Sequence, residues 1–363
     1  GGFLETFATG TELTSVDWAP DGSVIASSKT GALYRWSPST RQTLRMRNHT
    51  SQILDVAWSP TSKEIAFNLG WEDLGIYHLD SGTLDTWSLG VEPFGSIMSI
   101  DWSGDGTKVA VGDASSIRIL ASGGEILAST PQKGGVRCVE WSPDSGYLAS
   151  TAMDASIRIW DGYTGNLLAT LTGHSTYIPA LSWSPDGKWL ASSDLGGWVI
   201  LWEMPRGEVV KRFRPVGDRV YWVSWSPDMS LIAAWGVDTP AGRIVLSVVD
   251  VEGNVVWSTQ VRGGLSQVAW SSTGTHLALP ISSDRNYISI LTSTGLPVCN
   301  LTQASFGEVV EWSVDGRFVA SGGYDGVLKI YDAELIAQIP EIMGTAASLA
   351  FLFFLSADRK RRP

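Results

Sequence analysis

Cysteine is almost missing from this chain of 363 residues: Cys138 and Cys299 are the two copies, too few for a disulfide framework. Histidine is scarce as well. His49, His78, His174 and His276 lie far apart and show no metal-ligand spacing, so no metal site and no cofactor is expected. Charged residues make up 17%, and positive charge is the weaker sign, with 26 Lys and Arg against 37 Asp and Glu. A net charge of −11 repels phosphate backbones, which argues against a nucleic-acid partner. GxSxG, HExxH and the phosphate-binding glycine loop are all absent, and no Asp-Gly string continues to the glutamate that a calcium loop needs. No catalytic residue is therefore nominated. The chain starts at Gly1 rather than methionine, as a processed, tagged or excerpted sequence is expected to.

Tryptophan, by contrast, is abundant, at 18 residues, and its placement is regular. A Trp-Ser-Pro-Asp string recurs with small changes at Trp18, Trp58, Trp102, Trp141, Trp183, Trp225, Trp270 and Trp312. The successive gaps are 40, 44, 39, 42, 42, 45 and 42 residues. Eight copies at that period fit four short strands per unit. Apolar–polar alternation leads into each tryptophan, as in Val16-Asp17-Trp18, and a period of two is a strand. The Pro-Asp-Gly that follows is turn chemistry: proline presets φ, aspartate caps, and glycine takes positive φ. A second strand of the Leu-Ala-Ser kind comes next (Tyr147 to Ser150, Trp189 to Ser192). Asp/Gly turns at Asp154, Asp194, Asp284 and Asp325 then lead to a third strand, as in Ile157 to Asp161 and Leu328 to Asp332. A looser fourth strand follows, such as Leu167 to Leu171. The last unit supplies three strands, and Phe3 to Phe7 looks like the orphan fourth.

These features resemble the WD-repeat family, over about residues 3 to 332, with a tail of prokaryotic type discussed below. The resemblance implies an all-β fold, an eight-bladed β-propeller of four-stranded antiparallel blades, closed by lending the N-terminal strand to the last blade. It also implies that His174, Ser192, Asp194 and Trp202 form a buried hydrogen-bonded set in the fifth unit. Most units lack the Gly-His that precedes such a set, and units two, three, six and seven lack a clean Trp-Asp ending. Several blades are therefore expected to be held by packing alone. The eight repeat tryptophans become structural anchors.

The resemblance points function toward holding peptides or proteins on one face, formed by the loops entering strand one and those joining strands two and three. Large residues there that the repeat does not require are the candidates: Trp71, Phe94, Arg137, Tyr177, Trp198, Arg219, Tyr221, Phe306 and Tyr324. The sixth unit is richest, with Trp222 and Trp235 added. Two other functions stay open: a sensor module of a larger signalling protein, and a hydrolase or lyase using the channel. Asn48-His49-Thr50 and Asn300-Leu301-Thr302 match glycosylation acceptors at a frequency that chance explains.

Residues 333–363 break the pattern. Ile342 to Leu355 carries no charge and is followed by Arg359-Lys360-Arg361-Arg362. Three readings compete: a membrane segment through 335–355 with its basic end inside, a helix docked on the propeller, and the start of a broken ninth repeat. The layout is similar to prokaryotic C-terminal sorting tails, with Ile339-Pro340-Glu341 as the short motif.

Overall fold

The computed structural model describes residues 3–48, 51–90, 96–132, 135–261, 264–265, 267–282, 286–302 and 307–333. Eight antiparallel sheets hold these residues, each a repeat unit of four strands in order from the channel outward. The fifth blade shows the plan: Ala180–Trp183, Trp189–Ser193, Val199–Glu203 and Glu208–Phe213. The seventh departs slightly, since its inner strand is split into Gly264–Leu265 and Ala269–Trp270, both paired with His276–Ser282. The last sheet is completed by Phe3–Ala8, antiparallel to Val327–Asp332. Thr9 extends the clasp by donating its N–H to the Gly326 carbonyl (2.6 Å). This is the eight-bladed propeller with N-terminal closure. It removes the free edge that a ring opened between its first and last blades would expose.

The Trp-Ser-Pro-Asp string has a local physical meaning. The serine after the anchor donates its hydroxyl to the aspartate two residues on: Ser103 to Asp105, Ser142 to Asp144, Ser184 to Asp186, Ser226 to Asp228 and Ser313 to Asp315, at 2.6–2.7 Å. The same oxygen accepts the N–H at the start of the second strand, as from Tyr147, Trp189 and Leu231 at 2.9 Å. The Ser142 hydroxyl and the Gly146 N–H hold the Asp144 carboxyl below the usual carboxylate range. Each hairpin also needs one residue at positive φ, four positions after the anchor. Glycine fills it at 22, 106, 187, 274 and 316, but Ser62 (φ 59°), Ser145 (φ 59°) and Met229 (φ 62°) stand there in three blades. A side chain in that region costs about 1 kcal/mol, which glycine avoids while adding unfolded-chain entropy. The double substitution Ser62→Gly, Met229→Gly should therefore raise unfolding free energy by ~0.5–1 kcal/mol in urea titration. Ser145 is left alone because its hydroxyl accepts the Asp105 N–H (3.0 Å).

Apolar burial lies between blades rather than within them. Eight buried clusters each draw on two neighbouring blades, one at every junction of the ring. The anchor tryptophans sit in these junctions and are all buried. Trp18 stacks on Phe318 (6.1 Å, 10°), so the closing junction is packed as aromatically as it is clasped. Anchors also staple blades: Trp18, Trp102, Trp183 and Trp270 donate their indole N–H to the preceding blade's Glu311, Ala57, Glu140 and Ser224 carbonyls (3.0–3.3 Å). A smaller hydrophobe could fill the junction but not make that bond.

Candidate functional site

Inner strands run from the loop face toward the hairpin just described. Near the start of several, the register slips. The bulged positions include Thr14, Met98, Arg137 with Cys138, and Tyr221. Thr14, Met98, Arg137 and Tyr221 share one repeat position, four residues before their anchors. A bulge adds an unpaired residue and re-aims its side chain. The repeat therefore presents a freely variable side chain at the loop face, blade after blade, without disturbing the ladder below.

Two of these side chains meet in a cavity of about 450 Å³ lined by Met98, Ala114, Gly135, Val136, Arg137, Met153 and Tyr177. It spans the third, fourth and fifth blades. Met153 is 70% exposed on its rim. Burial raises the Tyr177 phenol, and the charge of the Arg137 guanidinium beside it pulls it part of the way back. The walls are thus apolar and flexible, with one cation and one phenol converging on them, a composition suited to an organic side chain. Cys138, next to Arg137, is not reactive surface: burial pushes its thiol up to about 12.

The other nominated residues divide. Trp198 lies beneath Arg214, whose guanidinium stands 4.5 Å from the ring. Tyr221 stacks on Trp235 (5.4 Å, 21°). Trp71 (60% exposed) stands on the second blade and does not line the cavity, although its carbonyl accepts the N–H of Ile97, the neighbour of Met98 (3.0 Å); Tyr324 is half exposed on the eighth. Phe94, Phe306 and His49 lie outside the described residues, as does the tail beyond Ala333. Met98, Met153 and Arg214 were missed. Met98 was findable, because it occupies the same repeat position as Arg137 and Tyr221.

In the fifth blade the His174 ring bonds Asp194 through Nδ1 (2.8 Å) and Ser192 through Nε2 (2.6 Å). Trp202 donates its indole N–H to the same Ser192 oxygen (2.8 Å). Burial pushes the Asp194 carboxyl up, but bonds from His174, Trp198 and Gly196 together hold it below the usual range. Serine, histidine and aspartate in that order resemble a nucleophile triad. Here the histidine and aspartate side chains are 1% exposed and Ser192 is fully buried, its oxygen already accepting from tryptophan. A substrate carbonyl has no route to it, so the arrangement holds the blade.

The expectation that blades without this set rely on packing alone needs correction. In the fourth blade Gln132 occupies the repeat position of His174. Ser150 donates to its Oε1 (2.9 Å) while accepting the Trp160 indole N–H (2.9 Å). Asn68 in the second blade accepts the Leu54 and Asp55 N–H groups (2.7 and 3.0 Å) and donates to Gly70 (2.7 Å). In the third, Asp113 pairs with Arg118 and accepts from the Ser115 and Ser116 hydroxyls. Buried backbone polarity must be met, and different side chains meet it.

Residues 124–161, 165–203 and 304–332 match the family described as WD domain, G-beta repeat. The chain is thus an eight-bladed propeller that contains WD repeats. The F-box-like/WD repeat-containing protein TBL1Y of Homo sapiens is 27% identical to it over 150 residues, covering 38% of this chain and 28% of that protein. Protein hir1 of Emericella nidulans is 25% identical over 181 residues, 47% of this chain and 15% of its own length. The match thus spans less than a third of these relatives. A chain of a crystal structure of a mitotic checkpoint complex superposes with a TM-score of 0.62 over 91% of this chain and 95% of that one, at 18% identity, a likeness of fold.

The channel of this WD-repeat propeller holds a feature that the repeat did not advertise. Inner strands of neighbouring blades are joined by side chains. Asp17 accepts the Trp58 N–H (2.5 Å), Asp55 that of Ile100 (2.9 Å), Asp101 that of Trp141 (2.7 Å), Glu140 that of Trp183 (3.1 Å), and the Ser182 hydroxyl that of Trp225 (3.1 Å). Burial raises Asp17 to about 7, Asp55 to about 6 and Glu140 to about 7, with Asp101 and Glu311 also well above the ordinary range. Asp17, Asp55, Asp101 and Glu140 are structural bridges, and among the described residues no group of acids, histidines and cysteines is arranged to hold a metal ion.

Proposed function

We propose that this WD-repeat propeller is a non-enzymatic interaction scaffold that receives a peptide or protein surface on its loop face, at the cavity of Met98, Arg137, Met153 and Tyr177. The observation that carries the reading is that cavity: side chains re-aimed by inner-strand bulges and joined by a 70%-exposed methionine on the next loop. The bulges let the face vary while the ring stays fixed. Protein partners also fit the relatives, whose matched part is the same kind of repeat. Residues 1–332 would form the interacting unit and 333–363 an appendage outside it.

Peptides selected from a random library on the wild-type chain provide the test. Met153→Asp, which puts a charge on the cavity rim, should weaken most of them at least about tenfold. Tyr163→Asp, on the opposite face and 71% exposed, should leave them unchanged. Equal loss, or no loss, in both variants contradicts the assignment.

A further inference from the structure

Three arginines cross the loop face of the fourth, fifth and sixth blades, each beside an aromatic ring. Arg137 and Tyr177 line one cavity, Arg214 lies over Trp198 at 4.5 Å, and Arg219 stands two residues before Tyr221, which stacks on Trp235. All three arginines are exposed. Among the described residues none of them forms an ion pair, whereas Lys29, Arg35, Arg118, Arg158 and Lys188 each do. Asp218, next to Arg219 in the chain, accepts the Thr239 N–H (2.8 Å), and Asp55, whose charge Arg137 feels, is taken up by the Ile100 N–H (2.9 Å).

The loops bearing these residues form one continuous surface. Leu195 donates its N–H to the Tyr177 carbonyl (3.1 Å), and Val220 donates to that of Asp194 (3.0 Å). Gly197 sits so close to the next loop that a Cβ would fall 2.8 Å from the Gly217 carbonyl oxygen, and its φ is +87°. A ring beneath or beside a guanidinium restrains it without neutralising it, so less rotamer entropy is lost when an anion arrives. Planar guanidinium donors match carboxylates in pairs.

We infer that the segment bound on this face is acidic: a peptide whose carboxylates lie along Arg137, Arg214 and Arg219 while an apolar residue fills the methionine-lined cavity. The inference rests on the loop-face reading and adds the chemistry of the partner. The same arginines and rings could attract single-stranded nucleic acid, but a chain of net charge −11 repels a phosphate polymer everywhere beyond this crescent. A short acidic segment need cover the crescent alone.

Fluorescence anisotropy with the full chain decides the matter with three labelled probes of equal length. The first carries a central Phe-Leu pair flanked by glutamates, the second replaces the glutamates by glutamines, and the third is oligo-uridylate. The glutamate peptide should bind at least about tenfold tighter than the glutamine peptide and lose affinity as salt rises. Arg214→Ala and Arg219→Ala should each weaken the glutamate peptide about three- to tenfold and flatten that salt dependence. Arg219→Lys, which keeps the charge, should recover part of the loss. If glutamine and glutamate peptides bind equally and Met153→Asp abolishes both, the acidic partner is wrong and the loop-face reading stands. If Met153→Asp changes neither, the loop-face reading itself fails. Tightest binding by oligo-uridylate, or no binding of the glutamate peptide at millimolar concentration, overturns the inference.

Discussion

Replacing His174 by alanine should destabilise the propeller by about 2–4 kcal/mol, one of the largest effects any single side chain here can produce. Its ring satisfies two buried partners at once, Asp194 at 2.8 Å and Ser192 at 2.6 Å. Without it the Asp194 carboxylate, 1% exposed, keeps only the Gly196 and Trp198 N–H groups (2.9 and 2.8 Å). Losing one partner of a buried pair costs more than the pair contributes, because the remaining charge stays desolvated. The fourth blade suggests the partial remedy. Gln132 stands at the same repeat position and bonds Ser150 (2.9 Å), so His174→Gln should recover the serine contact but not the carboxylate. Urea unfolding at neutral pH should order the midpoints as wild type, His174→Gln, His174→Ala. Identical midpoints would show that packing alone holds the blade.

Stability should also fall as pH rises from about 5 to 7, above the range in which the carboxylates held at low pKa gain theirs. Burial raises Asp17 to about 7, Asp55 to about 6 and Glu140 to about 7. A carboxyl whose folded pKa exceeds its unfolded one binds more protons in the native state, so its contribution is full below the unfolded value and is lost on the way up to the folded one. Glu140 moves from 4.5 to about 7, worth at most ~3 kcal/mol and about 1–2 after solvent in the channel is allowed for. It is the clean position to test, because it accepts a single backbone bond, from Trp183, which an amide oxygen can keep. Glu140→Gln should be less pH-dependent than wild type between pH 4.5 and 8, and at least as stable at pH 8. A wild-type stability that climbs across this interval would show the acids to be ionised at ordinary values.

The architecture was legible because the repeat is written in residues with strong local preferences. Trp-Ser-Pro-Asp encodes a strand end, a hydroxyl-capped hairpin and the start of the next strand within a few positions. Phe3 to Phe7 announced ring closure by having no partner nearby in sequence. The split inner strand of the seventh blade was not foreseen, since glycine at 263 and 264 gives no alternation to read. The site was half legible. Arg137 and Tyr177 were nominated as large residues outside the repeat's needs, yet their meeting with Met98 and Met153 depends on three blades coming together. Trp71 and Tyr324 met the same criterion and do not line the cavity, because an exposed ring on a loop does not say which neighbours it will have. Most of the bridging acids escaped notice because strand alternation before the anchor is satisfied equally by serine, alanine, glutamate or aspartate. Only the ring shows that Asp17, Asp101 and Glu140 reach the next blade's backbone.

The claim that the loop face is where partners bind can be tested by photo-crosslinking. A photoreactive amino acid would be placed at Met153 in one chain and at Tyr163 in another, and each irradiated in cells expressing the chain from its own gene. The account predicts discrete crosslinked protein adducts from position 153 that disappear when Arg137 and Arg219 are both changed to alanine, and none from position 163. Adducts from position 163 alone, or from neither position, would contradict it; adducts from 153 that persist in the double variant would leave the loop face standing and overturn the acidic partner.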